Sequence, residues 1–296
     1  MRILLLGGNG QVGRALRRAL PALGEVLVAT RDGAGGELAA DFDAPQALPG
    51  LVARIAPDVV VNAAAHTAVD RAEAEPEAAF RANAEAPAAL ARGCAATGAL
   101  LVHYSTDYVF DGGSARPYRE DDATAPLGVY GASKLAGEEA IRASGARHAI
   151  LRTAWVYAAH GRNFLRTMLR LAAEREELRV VADQVGAPTP AAWIAEATGQ
   201  LLRHGVPASG TWHLAAAGET SWHGFAQAIM DEALAAGLLA RRPRVLPIAT
   251  AEYPTPARRP AYSVLDTARL RAEFGIVPPA WRDGLRATVR ELAEAR

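Results

Sequence analysis

Tyr130-Gly131-Ala132-Ser133-Lys134 sets a phenol and an ammonium four positions apart, on one face if the segment is helical. A phenol ordinarily titrates near about 10, too high for acid-base work at neutral pH, and a cation beside it stabilises the phenolate. Such a pair suits proton donation to a carbonyl oxygen as it becomes an alkoxide, with Lys134 also reaching the ribose of a nicotinamide. Upstream, Leu101-Val102-His103-Tyr104 reads as a strand, and Ser105-Thr106-Asp107 follows at its end. Taken alone the triplet reads as a capping turn. Beside the Tyr-Lys pair, the Thr106 hydroxyl can bind a substrate carbonyl and align it for hydride attack.

A second constellation supplies the hydride carrier. Gly7-Gly8-Asn9-Gly10-Gln11-Val12-Gly13 follows an apolar run and opens a helical pattern, the context that a dinucleotide fingerprint requires. It fits two registers, Gly8-x-Gly10-x-x-Gly13 and Gly7-x-x-Gly10-x-x-Gly13. In either, backbone N–H groups and a helix N-terminus can approach a pyrophosphate. At the end of the next strand, where an NAD enzyme usually carries an acidic residue for the ribose 2′-hydroxyl, this chain has Thr30-Arg31. A guanidinium pairs with a 2′-phosphate, so NADPH is the expected cofactor, with NADH as the alternative.

The elements that must position these groups alternate along the chain. Ile3 to Leu6 is a continuous apolar run suited to a strand buried on both faces. Val12, Leu16, Ala19 and Leu20 follow at helical spacing until Pro21 and Gly24, and Val26 to Ala29 forms the next run. The alternation continues through Val59-Val60-Val61, the Ala-rich stretch 77–96, Leu100-Leu101-Val102, 133–143 and Ala149-Ile150-Leu151. It predicts an α/β fold, a Rossmann-type doubly wound parallel sheet. After about residue 155, prolines at 188, 190, 243, 247, 254, 256, 260, 278 and 279 predict loops rather than long helices. That part is expected to form a smaller C-terminal α/β substrate domain over the carboxyl ends of the sheet. The expected division is 1–154 for the dinucleotide-binding domain, joined by a return of about 177–205, with 155–176 and 206–296 binding substrate.

Bulk properties exclude several classes. Lys plus Arg equals Asp plus Glu at 32 each, so the positive field that non-specific nucleic-acid binding needs is missing. No run approaches the roughly 18 apolar residues of a membrane span, and the first apolar run is far shorter than a secretory signal core. A single cysteine, Cys94, allows no internal disulfide and fits a reducing compartment. A cytoplasmic enzyme with a small-molecule partner and no metal site is expected.

With the glycines, Thr106, Tyr130 and Lys134 in chain order, the sequence resembles the extended short-chain dehydrogenase/reductases, and among them the dTDP-4-dehydrorhamnose reductases. The resemblance is carried by 57–70 (PDVVVNAAAHTAVD), 103–110 (HYSTDYVF), 125–131 (APLGVYG), 183–189 (DQVGAPT) and 253–260 (YPTPARRP), which span nearly the whole chain. It implies that Gly7, Gly10, Gln11, Val12 and Gly13 hold the pyrophosphate region. Asp41 and Phe42 would border the adenine, and Ala63, Ala64 and Ala65 would run beside the cofactor ribose. Thr106, Asp107 and Trp155 would contact the sugar, and Arg258 and Arg259 would be available to the diphosphate. The implied reaction is NADPH-dependent reduction of the C4 ketone of a dTDP-linked 4-keto sugar.

Two departures qualify the resemblance. Related sugar-nucleotide dehydratases place a Glu directly after the Thr-Asp pair, and here Tyr108 stands there. Glutamates that bridge metal-linked dimers of the family correspond to Ala15 and Ala192. A magnesium-dependent dimer is therefore not expected, and the chain is read as a monomer or weak homodimer. Reduction or epimerisation of another nucleotide sugar, and a non-catalytic regulatory subunit of the same fold, are the alternative functions.

Overall fold

The apolar runs become the strands of one sheet. In the computed structural model, which describes residues 1–34 and 37–295, these are β1 (Arg2–Leu6), β2 (Glu25–Thr30), β3 (Leu38–Ala39), β4 (Val59–Asn62), β5 (Leu100–Thr106), β6 (His148–Thr153) and β7 (Gly210–His213). Their order is β7-β6-β5-β4-β1-β2-β3 with parallel pairing throughout. The chain winds outward from β1 in both directions, so a crevice opens beyond the carboxyl ends of β1 and β4.

Strand alternation divides the core by parity. Ile3, Leu5, Val59, Val61 and Val102 face a layer containing Leu16, Leu20, Trp193, Ile194 and Leu201. Leu4, Leu6, Val60, Leu101 and Ile150 face Leu48, Leu51, Val52, Leu90 and Ile141 on the other side. Each such side chain, once fully buried, contributes about 1.5–3 kcal/mol. Cys94 lies in the second layer, and burial pushes its thiol up to about 12, which leaves it inert.

A second apolar cluster joins helices Phe164–Glu174, Trp222–Ala235 and Trp281–Glu294 to the parallel strand pair Glu177–Val181 and Arg244–Ile248. Two of these helices have 14 residues, longer than the prolines suggested. Both fit within proline-free intervals, 208–242 and 280–296, so the prolines bound the helices instead of breaking them.

The segment of the expected return, about 177–205, divides between the two clusters. Leu178 and Val180 belong to the second cluster. Helix Ala191–His204 lies in the main core beside helix Gln11–Ala19 through Trp193, Ile194 and Leu201, and β7 adds Trp212. Among the described residues no helix is long and apolar enough to cross a membrane.

Candidate active site

A cleft of about 1190 Å³ occupies the predicted crevice, above the roughly 300–1,000 Å³ that holds a typical small ligand. It is lined by Gly7, Gly10, Gln11, Val12, Thr30, Arg31, Phe42, Ala63, Ala64, Ala65, Thr106, Asp107, Tyr130, Lys134 and Trp155, all expected from the sequence. Gly13 and Asp41 are not on its wall. Asp41 accepts from the Asp43 backbone N–H at 3.0 Å and lies 3.9 Å from Arg31. Arg258 is exposed, and Arg259 is bound to Asp70 at 2.7 Å; both lie outside this cleft.

The glycine loop is shaped for close approach of another backbone. Gly7 has φ +76°, and a Cβ there would meet Ala64 N at 2.6 Å. At Gly13 a Cβ would lie 2.0 Å from the Gly7 carbonyl oxygen, so this glycine shapes the loop from within the helix. Helix Gln11–Ala19 begins with no side-chain cap and no acidic residue in its first turn, leaving its N–H groups and positive end to an anion. Thr30 Oγ1, Thr153 Oγ1 and His160 Nε2 are buried beside the cleft without hydrogen-bond partners among the described residues. Uncapped donors and orphaned polar atoms of this kind fit a dinucleotide. Gly13→Ala is expected to displace the loop, at about 1–3 kcal/mol for the overpacked methyl. Dinucleotide fluorescence titration should show affinity weakened at least about tenfold.

Tyr130 and Lys134 sit on helix Val129–Ala143, which begins earlier than the sequence pattern indicated. Gly131 lets that helix close on the turn after β5, since a Cβ there would lie 2.2 Å from the Tyr108 carbonyl oxygen. Thr106 both caps and faces the cleft. Its Oγ1 accepts from Tyr108 N at 3.2 Å and donates to Asp107 Oδ1 at 3.0 Å.

The electrostatics differ from the expectation of an ammonium that acidifies the phenol. Burial pushes Tyr130 up to about 12, with the Thr106 hydroxyl pulling the other way and the Asp107 charge adding to the rise. Burial likewise lowers Lys134 to about 8, against the charge of Glu138. The Lys134 Nζ is engaged by the Tyr104 carbonyl at 2.7 Å and His103 Nε2 at 3.2 Å. Desolvation therefore outweighs the cation's influence, and the phenol keeps its proton at neutral pH, as a proton donor must.

Burial also pushes the Asp107 carboxyl up to about 7. Because the folded state then holds a proton that the unfolded state has lost, stability falls as pH rises from about 4 to about 7. Asp107→Asn is expected to flatten that part of the curve of melting temperature against pH. An unchanged slope would show that Asp107 does not titrate in this window.

Trp155 has φ +46°, a strained value for a bulky residue and one often retained where a site demands it. Its ring stacks on Trp222 at 3.5 Å between centroids and 3° between planes. Gly186 makes room for it, since a Cβ there would lie 2.5 Å from the ring. Sequence reasoning missed Trp222, and it missed the bridge from Asn163 Nδ2 to Gln11 Oε1 at 2.7 Å. It also missed Asn83, which holds the backbone of His66 through both amide ends. Asn83 lies in a π-helical turn, a feature often found near functional sites, for which spacing carries no signal.

The doubly wound sheet, the glycine loop at its switch point and a Thr-Tyr-Lys set beside it together define an extended short-chain dehydrogenase/reductase. A family model described as the RmlD substrate binding domain matches residues 1–294. A dTDP-4-dehydrorhamnose reductase of Burkholderia thailandensis is 49% identical, with 99% of each chain covered. Solved structures of dTDP-4-dehydrorhamnose reductases from Clostridium acetobutylicum and Bacillus anthracis superpose with TM-scores of 0.91 and 0.90 at 36% and 35% identity. The first covers 99% of both chains; the second, a complex with NADP, covers 98% of this chain and 99% of its own. The chain belongs to the dTDP-4-dehydrorhamnose reductase family.

Proposed function

We propose that the protein reduces the C4 ketone of dTDP-4-dehydro-L-rhamnose with NADPH, giving dTDP-L-rhamnose in the last step of its synthesis. The observation that carries this reading is the convergence of Thr106, Tyr130 and Lys134 on the cleft that also holds the glycine loop. When bound, NADPH supplies the hydride. Tyr130 gives its proton to the developing alkoxide, a role worth about 10²–10⁴-fold for a positioned acid. Thr106 orients the carbonyl, and Lys134 holds the nicotinamide ribose. Asp107 and the Trp155 ring bind the sugar, while Gly7, Gly10, Gln11 and Val12 hold the pyrophosphate with Gly13 shaping their loop.

Residues 1–154 and the returning segment form the dinucleotide-binding domain in this reading, and the second apolar cluster carries the substrate-binding part. In this reading the enzyme is cytoplasmic and a monomer or weak homodimer, and a magnesium-dependent dimer is not expected. Spectroscopic NADPH oxidation with dTDP-4-dehydro-L-rhamnose tests the proposal, and absence of turnover refutes it.

Arg31 supports the cofactor preference. It lines the cleft with its side chain 75% exposed, and Asp41 and Asp43 are only within 3.9 and 4.0 Å of it. Its guanidinium remains available to a 2′-phosphate. Arg31→Ala is expected to lower kcat/KM for NADPH about tenfold, as for a largely exposed charge-assisted contact, with NADH little affected. Equal losses with both cofactors would remove Arg31 from the recognition of the 2′-phosphate.

A further inference from the structure

The wall beneath Lys134 holds a row of polar groups whose donors and acceptors can be followed one by one. The backbone N–H of Ala64 donates to Asn62 Oδ1 at 3.1 Å. That contact identifies the oxygen end of the amide, so Asn62 Nδ2 donates to His103 Nδ1 at 3.0 Å. A neutral imidazole has one accepting and one donating nitrogen, which places the proton of His103 on Nε2. Nε2 lies 3.2 Å from Lys134 Nζ, which also donates to the Tyr104 carbonyl at 2.7 Å. An ammonium would set donor against donor at this buried contact, whereas a neutral amine offers a lone pair.

We propose that His103 is a positioning residue that favours the neutral amine form of Lys134 in the ligand-free enzyme, through an Nε2 proton whose place is set by Ala64 and Asn62. The proposal rests on the reading of Lys134 as the lysine of the catalytic set. Asn62, His103 and Lys134 are 1%, 0% and 2% exposed, so water cannot relieve a mismatch. Moving the proton to Nδ1 would set it against Asn62 Nδ2, and an imidazolium would place a second cation beside the lysine. Among the surrounding charges Glu138 favours the ammonium. On the same helix Glu138 is held by Arg152 at 2.7 Å and Arg142 at 3.1 Å, and Tyr130 keeps its proton. Asp107, beyond the end of β5, is itself drawn toward its neutral form by burial.

The wild-type protein, labelled with ¹⁵N at histidine and lysine and free of ligand, decides the matter by NMR. Expected are a protonated Nε2 and bare Nδ1 at His103, and an amine signal for Lys134 at about pH 9, where an ordinary lysine is still charged. The opposite tautomer, or an ammonium signal at that pH, overturns the proposal. Asn62→Asp supplies a second readout, because a carboxylate accepts from both Ala64 and His103. It is expected to move the proton to Nδ1 and to raise the Lys134 titration by about one pH unit or more. An unmoved tautomer in that variant would also overturn it. Both measurements are independent of sugar turnover, so they stand or fall apart from the proposed reaction.

Discussion

Tyr130→Phe is expected to lower kcat for sugar reduction by at least about 10²-fold, the low end for a positioned proton donor, while dinucleotide affinity stays nearly unchanged. The ring is half-buried and packs edge-on against Tyr108, with centroids 5.9 Å apart and planes at 77°. Phenylalanine preserves that packing, so the change isolates the hydroxyl. The burial that pushes the phenol up to about 12 keeps it protonated across the neutral range, and no loss of activity from its deprotonation is expected there. Single-turnover NADPH oxidation with equilibrium titration separates the two effects. Wild-type turnover in the variant would remove Tyr130 from proton transfer, whereas weakened cofactor binding alone would mean that the hydroxyl serves affinity.

Arg152→Met is expected to destabilise the fold by about 3–5 kcal/mol, the range for removing one partner of a buried ion pair. Arg152 and Glu138 are 3% and 0% exposed, and the guanidinium grips both carboxylate oxygens at 2.9 and 2.7 Å. Burial opposes ionisation of Glu138, yet Arg152, followed by the Ser105 hydroxyl and Arg142, outweighs it and holds the carboxyl below its ordinary range. A depressed carboxyl contributes stability above its unfolded pKa of about 4.3, and that contribution is lost as pH falls through the folded value. The melting temperature of Arg152→Met should drop on the order of 10 °C at neutral pH. The double variant with Glu138→Met should recover most of the loss, because no lone charge remains. A double variant as unstable as the single one would show that packing, rather than the stranded carboxylate, sets the penalty.

These two residues also mark how far spacing can be read. Tyr130 and Lys134 were legible because a helix turns through just over a full circle in four residues, about 400°, so composition and interval alone place them on one face. Glu138 lies one further turn along the same helix, but nothing in its neighbours announces that Arg152, on a strand in the next part of the chain, will cover it. The apolar runs of β1, β4 and β5 were equally legible, since parallel strands covered on both faces have no polar positions to interrupt them. Helices Trp222–Ala235 and Trp281–Glu294 were obscured by prolines that turned out to flank them.

The sequence by itself determined the parallel sheet, the glycine loop and the Thr-Tyr-Lys order, because these depend on local periodicity, missing Cβ atoms and fixed helical spacing. Only tertiary structure decided the proton inventory of the site, since burial, unlike charge sequence, governs which of Tyr130, Lys134 and Asp107 is ionised. It alone also brought Trp222 beneath Trp155, Asn163 to Gln11, and His103 between Asn62 and Lys134. Such pairings join residues far apart in the chain, and the physical reason they escape prediction is that packing, not sequence interval, sets their distance.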